Sequence, residues 1–171
     1  VGAAEMALNS PHFYSVRLRN LVAPWTNAEG SPQAPFDDLQ ALFMGIVRDK
    51  LDARLLLTAD FRYEAYPGIS LPKVSRSNNL HYTNFETKGL SHRDDLTQSK
   101  PQWKDLSEAA GALTTRAWAA SYYGDTNRRA VKFAVQIFAC APIESWRLRS
   151  VPDFFVRRDI PRAVSGNVST Y

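Results

Sequence analysis

The clearest pattern of apolar and polar positions in the chain runs from Pro35 to Leu51. Leu39, Leu42, Phe43, Ile46 and Val47 fall at i, i+3, i+4, i+7 and i+8, which places them on one face of an amphipathic helix. An earlier helix is predicted from about Pro11 to Ala23. Ser10 stands at its N-cap and Pro11 at its first position, Phe13, Val16, Leu21 and Trp25 recur near helical spacing, and Pro24 ends it. Asp52 can cap a short helix reaching Leu57, whose run of three leucines implies burial on more than one side.

From Arg62 to about Pro101 the sequence reads as loop, punctuated by Pro67-Gly68, Pro72, the polar run Ser75 to Asn79, and Gly89, with a short helix over His81 to Lys88. Helical spacing returns at Gln102 to Ala110. It continues at Leu113 to Tyr123, where Leu113, Ala117, Ala120 and Tyr123 share a face and Gly124 is the C-cap. A last helix is predicted over Thr126 to Ala139, with Val131, Val135 and Phe138 inward and Pro142 closing it. The expected fold is all-α: an irregular multi-helix bundle with long loops, forming one domain over residues 1–171 with residues 145–171 as an extended tail. Phe13, Leu21, Trp25, Leu42, Phe43, Ile46, Val135 and Phe138 are the expected core.

Length and composition agree with one packed domain, since 171 residues with 44% hydrophobic, 22% charged and 12% aromatic content make a folded chain and not a disordered one. The longest apolar stretch, Ala130 to Ala141, is broken by Lys132 and Gln136 and falls short of the roughly 20 residues a membrane span needs. Val1 to Leu8 shows no export signal, which leaves a cytoplasmic protein or a chain already relieved of its leader. Cys140 is the sole cysteine, so an internal disulfide and a Cys-based metal site are both ruled out; its place at the end of an apolar helix predicts a buried, slowly reacting thiol.

Charge is unevenly placed. Thr126 to Tyr171 carries eight Lys and Arg against three Asp and Glu, whereas the first 125 residues carry 13 against 14. The expected consequence is a basic C-terminal surface, with Arg128, Arg129, Arg157 and Arg158 as candidates for docking an acidic partner. Aromatic residues near these cations, such as Trp118, Tyr122 and Trp146, are the ingredients of a single-stranded nucleic-acid surface and give a third reading, a nucleic-acid-binding module on the C-terminal basic surface; against it, their spacing is that of a helical core and no RNA-binding signature accompanies them.

No motif of self-contained chemistry stands out. His12, His81 and His92 are too dispersed for a local metal site, and neither a Gly-rich phosphate loop, nor a G-x-S-x-G elbow, nor Cys-x-x-Cys-His occurs, so no catalytic residue and no metal ligand is assigned. The adjacent carboxylates Asp37-Asp38 and Asp94-Asp95 lie near expected helix starts, where capping is their commoner use. An enzyme reading would put the site in the 66–89 loop, at His81 with Asn79 or Tyr82.

Several segments are jointly informative: Phe13-Tyr14; Asn20-Leu21 through Ala23-Pro24-Trp25-Thr26-Asn27; Gly45 with Val47-Arg48-Asp49; Asn78-Asn79 and His81-Tyr82. To these are added Ala110-Gly111-Ala112-Leu113-Thr114-Thr115-Arg116-Ala117, Thr126-Asn127-Arg128-Arg129, Cys140, and Arg157-Arg158-Asp159-Ile160 with Arg162. Together they resemble the helical domains of unknown function that accompany the haem-binding segment in large planctomycete- and proteobacterial-type cytochrome c proteins. The resemblance covers nearly the whole chain through motifs that are individually weak. In that family a Cys-x-x-Cys-His segment follows the part matched by Arg157 to Tyr171. The resemblance therefore implies a fragment, a separate subunit, or a relative without haem, with any haem on a partner such as a c-type cytochrome or in a continuation of the chain. It implies a periplasmic or cell-surface location, and a non-catalytic scaffold or interaction domain with no cofactor of its own. In that setting Asn79, His81 and Tyr82 are the candidate binding cluster: His81 would ligate or hydrogen-bond a nearby haem, oriented by the asparagines. The alternative is that Asn78 and Asn79 only turn the chain and cap the helix that His81 begins.

Overall fold

The computed structural model describes residues 2–27, 30–32, 34–106, 108–123 and 127–146, the side chains of Asn127, Arg128 and Glu144 excepted. It is mainly helical, as expected, with one small antiparallel sheet added. Packing divides the chain into two compact units, residues 1–118 and 119–171. No helix among the described residues is long and apolar enough to cross a membrane.

Helix α3, Asp38–Arg48, is the centre of the first unit. Asp37 caps it, accepting a hydrogen bond from the Gln40 N–H at 2.8 Å, and its end is a Schellman turn in which the Leu51 N–H reaches the Ile46 carbonyl and the Lys50 N–H reaches that of Val47. Lys50 occupies the left-handed position of that turn at φ 54°, where glycine is usual. The apolar spacing identified this helix but understated its burial. Gln40, Ala41, Met44 and Gly45 are covered as well as Leu39, Leu42 and Ile46, while Phe43 and Val47 are only half-buried.

The reason is the sheet. Strands β1, Arg62–Ala65, and β2, Leu96–Ser99, pair antiparallel with Arg62 opposite Ser99 and Ala65 opposite Leu96, and both pack on α3. Their segments lie in the stretch read as loop, because two four-residue strands over thirty positions apart leave no local alternation long enough to register. Tyr63, Ala65 and Leu96 bring the sheet into a core shared with Tyr14, Leu18, Phe36, Leu42, Met44, Ile46, Tyr82 and Phe85.

A first helix, α1, Gly2–Leu8, was not predicted and buries none of its residues. The expected Pro11–Ala23 helix is a composite: a π-helical stretch over Phe13–Leu18, then α2, Arg19–Val22, then a 3₁₀ turn over Ala23–Thr26 that carries Pro24 near its start instead of ending at it. The winding change rotates Tyr14, Leu18 and Val22 inward and leaves Leu21 56% exposed, so Leu21 is not core. Phe13 is half-buried, as is Trp25, which meets Phe43 edge to face at 5.4 Å. Helix α4, Leu55–Thr58, follows Asp52 as expected, but Leu57 faces outward. Helix α5, Leu80–Thr87, matches its prediction within a residue.

Among the described residues of Gln102 to Ala110 none is helical. The Gln102 side chain donates to the Gly111 carbonyl at 2.9 Å and accepts from the Thr114 hydroxyl at 2.5 Å, pinning the segment to the 3₁₀ turn Gly111–Thr114. Helix α6 follows over Arg116–Tyr122, burying Ala117, Trp118 and Tyr122 while Ala120 and Tyr123 face out. Gly124 and Thr126 lie outside the described residues.

In the second unit α7 spans Asn127–Phe138. The Tyr122 ring stacks on Phe133 at 4.6 Å and the Arg129 guanidinium lies over the same Phe133 ring at 5.9 Å. Val131 is 59% exposed, opposite to expectation, and Val135 and Phe138 are half-buried. Cys140 is exposed, not buried: it follows the last turn of α7 with φ 52°, and this left-handed residue carries its side chain off the apolar face that the helix itself would have continued. Ser145 and Trp146 belong to a 3₁₀ turn, Ile143–Trp146, and the remainder of the expected tail lies outside the described residues.

Candidate functional site

The cluster at Asn79, His81 and Tyr82 is brought together at the start of α5, and each member holds backbone from another segment. His81 Nε2 accepts from the Ala65 N–H at 3.0 Å, which places the ring proton on Nδ1, where it is donated to the Pro72 carbonyl at 2.7 Å. Both ring nitrogens are engaged, and the ring is buried. The Tyr82 hydroxyl donates to the Tyr63 carbonyl at 2.8 Å, and burial pushes its pKa well above the usual tyrosine range. Asn79 Nδ2 donates to the Phe36 carbonyl at 2.7 Å, while its Oδ1 is buried without a partner. The capping oxygen is that of Asn78, which accepts from the Leu80 N–H at 3.1 Å. A nitrogen ligand for iron must offer a free lone pair, and in this fold His81 has given its own to Ala65.

The carboxylates do similar work. Asp38 Oδ1 and Oδ2 accept from the N–H groups of Ala117 and Arg116 at 2.9 and 2.6 Å, so a residue of α3 caps α6 across nearly eighty positions. Glu86 on α5 accepts from Arg19 Nε at 2.6 Å and from the Phe36 N–H at 3.1 Å, with His92 Nε2 at 3.7 Å; it is pulled down to about 2 because these donors together outweigh its burial. Asp94 and Asp95 close a turn on Ser91. Among the described residues no group of three or more His, Cys, Asp or Glu side chains is placed to hold a metal ion.

Asp37 is the exception energetically. Besides capping α3 it accepts from the Thr26 hydroxyl at 2.6 Å, yet complete burial, and then the neighbouring Asp38 charge, push its pKa up to about 6. A carboxyl whose folded pKa is raised binds its proton more tightly in the fold than in the unfolded chain, so stability falls as pH rises from about 4 to about 6 and the full cost remains above that. Asn caps helices as well as Asp. Asp37→Asn should therefore leave the unfolding free energy nearly unchanged at pH 4 and raise it at pH 8 by up to roughly 3 kcal/mol. Denaturant titration of both proteins at the two pH values checks this, and an equal effect at both would remove the buried charge as its cause.

One cleft in the first unit is open to solvent and lined by charge. Its volume is about 240 Å³, and Glu5, Leu8, Asn9, Arg48, Lys50 and Arg93 form its walls. Arg48, in the last turn of α3, donates through Nη1 to the carbonyls of Arg93 and Leu96 at 3.0 and 2.5 Å, and pairs with Asp49 at 2.7 Å. Arg93 donates to the Leu8 carbonyl at 3.3 Å and pairs with Asp94 at 2.6 Å. Lys50 is exposed on the rim. Sequence reasoning did not find this cleft. Arg48 and Lys50 flank the end of a helix that was predicted, but Arg93 and Glu5 arrive from segments forty and more positions away.

Of the residues expected to dock a partner, Arg129 is half-buried over Phe133, and the Arg128 side chain, Arg157 and Arg158 lie outside the described residues. No protein-family model, curated protein or solved structure matches the chain.

Proposed function

We propose that the chain is a non-catalytic scaffold or interaction domain that works in an extracytoplasmic assembly related to c-type cytochromes. The observation that carries the first part is the use made of His81: both ring nitrogens are bound to main-chain groups. A general base or an axial ligand must present a nitrogen to substrate or metal. Asp38 and Glu86 are likewise engaged with the N–H groups of other segments. Polar groups arranged to brace one segment against another give a rigid body, which is what a docking module requires. The cytochrome context rests on the sequence resemblance, and the haem belongs in this reading to a partner or to a continuation of the chain.

The test is affinity capture of the tagged chain from the envelope fraction of its native host, followed by an optical spectrum of what co-elutes. A Soret band of a c-type cytochrome is expected, and His81→Ala should leave that band and its reduction potential unchanged while lowering the unfolding midpoint of the chain. Capture without haem protein would remove the cytochrome context. A shifted Soret band in His81→Ala would make His81 a haem residue and overturn the bracing role.

A further inference from the structure

We infer that the cleft between the end of α1 and the end of α3 binds a carboxylate presented by an acidic side chain of a partner protein; this deepens the interaction reading above and rests on it. Three cations, Arg48, Lys50 and Arg93, and one carboxylate, Glu5, line the cleft, and two of the cations, Arg48 and Arg93, are already paired with Asp49 and Asp94. The two arginines are fixed before any ligand arrives, Arg48 by Asp49 and the carbonyls of Arg93 and Leu96, and Arg93 by Asp94 and the Leu8 carbonyl. A guanidinium has five N–H donors. These bonds occupy four on Arg48, counting both contacts with Asp49, and, with the contact of Nη2 to Asn9 Oδ1 at 3.5 Å, three on Arg93, which leaves one donor on Arg48 and two on Arg93. Fixed donors bind an anion with little loss of side-chain freedom.

Lys50 supplies the third cation from a costly position. The Schellman turn at the end of α3 places it at φ 54°, where a side chain is disfavoured and glycine fits freely. Its ammonium is exposed on the rim of the cleft. A lysine that stability does not favour, at the mouth of a cleft lined by two fixed guanidiniums, is explained by what it contacts when the cleft is filled.

Glu5 and Asn9 in the same lining set the ligand class. A doubly charged phosphate would meet the Glu5 carboxylate, whereas a single carboxylate on a peptide can face the cations while a peptide N–H donates to Glu5. An acidic residue in a peptide carries both groups, and a cleft of about 240 Å³ has room for one such side chain with its adjoining backbone.

Lys50→Gly gives a clean test, because it removes the cation while relieving the backbone. The full chain is titrated at low ionic strength with a capped Gly-Glu-Gly peptide, following the backbone amide resonances of Asn9, Lys50, Leu51 and Arg93 by NMR. Saturable shifts are expected with this peptide and none with its Gly-Gln-Gly counterpart. In Lys50→Gly the unfolding midpoint should hold or rise while the dissociation constant increases about fivefold, the loss of one exposed ion pair. Binding should weaken as salt rises through about 0.15 M. Equal shifts from the two peptides, unchanged affinity in Lys50→Gly, or tighter binding of inorganic phosphate than of the Glu peptide would each overturn the assignment. Peptide binding that behaves as expected while the tagged chain captures no partner from its host would leave the cleft standing and overturn the interaction reading. Capture of the cytochrome partner without any peptide shift would do the reverse.

Discussion

Phe36→Ala should lower the unfolding free energy by roughly 3 to 5 kcal/mol, because the ring is wholly buried and its neighbours are too constrained to fill the space it leaves. Phe36 meets Tyr82 edge to face at 5.7 Å, His92 edge to face at 4.5 Å, and Phe85 at 5.5 Å. Its main chain is held on both sides, the N–H by Glu86 and the carbonyl by Asn79. Collapse would have to break those bonds. Phe43→Ala offers the comparison. Sequence spacing places Phe43 in the core, but in the fold it is half-buried against Trp25, so its removal should cost roughly 1 to 2 kcal/mol. Denaturant unfolding of the two variants measures the difference. Equal losses would mean that the packing around Phe36 is not as described.

Gly45→Ala should cost roughly 3 kcal/mol or more, although it adds a single methyl group to a helix interior where alanine is intrinsically favoured. A Cβ at this position would lie 2.3 Å from Tyr63 Cε2 and 2.4 Å from Cδ2 and Cγ. The tyrosine ring cannot move aside, since its hydroxyl donates to Asp49 Oδ2 at 2.5 Å and the Arg48 guanidinium lies 5.5 Å from its centroid. The same enclosure, with the hydrogen bond to Asp49, raises the pKa of the Tyr63 hydroxyl. If the clash is the cause, Tyr63→Ala in the same chain should recover part of the loss, and the two substitutions together should cost less than their sum. Strict additivity would point to a helix effect at Gly45 and not to its contact with β1.

Asp37 and Asp38 show why neighbours in sequence need not share a fate. Both are buried at the start of α3, yet Asp38 accepts two N–H bonds from the first turn of α6 while Asp37 faces a hydroxyl, a side-chain amide and its own helix. Burial raises both pKa values, and in Asp38 the bonds from α6 oppose it. The sequence supports capping for the pair, and capping is what they do. That one of them caps a helix about eighty residues away depends on where the chain returns.

The helical spacing of Leu39, Leu42 and Ile46 was enough to place α3, and the polar break before His81 enough to place α5, because both signals are local and repeat within one or two turns. Capping at Asp37 was legible for the same reason. Three features were not. The Phe13–Leu18 stretch winds as a π-helix, which shifts the phase of every later residue and turns Leu21 to solvent. The strands Arg62–Ala65 and Leu96–Ser99 are each too short to alternate visibly, and they exist because they pair with each other and lie on α3. The cleft requires Glu5, Arg48 and Arg93 to meet, and no spacing along the chain encodes that meeting. Periodicity reports which face of a segment is apolar; only the packing of distant segments decides which faces are covered, which polar atoms are answered, and where charge is left facing water.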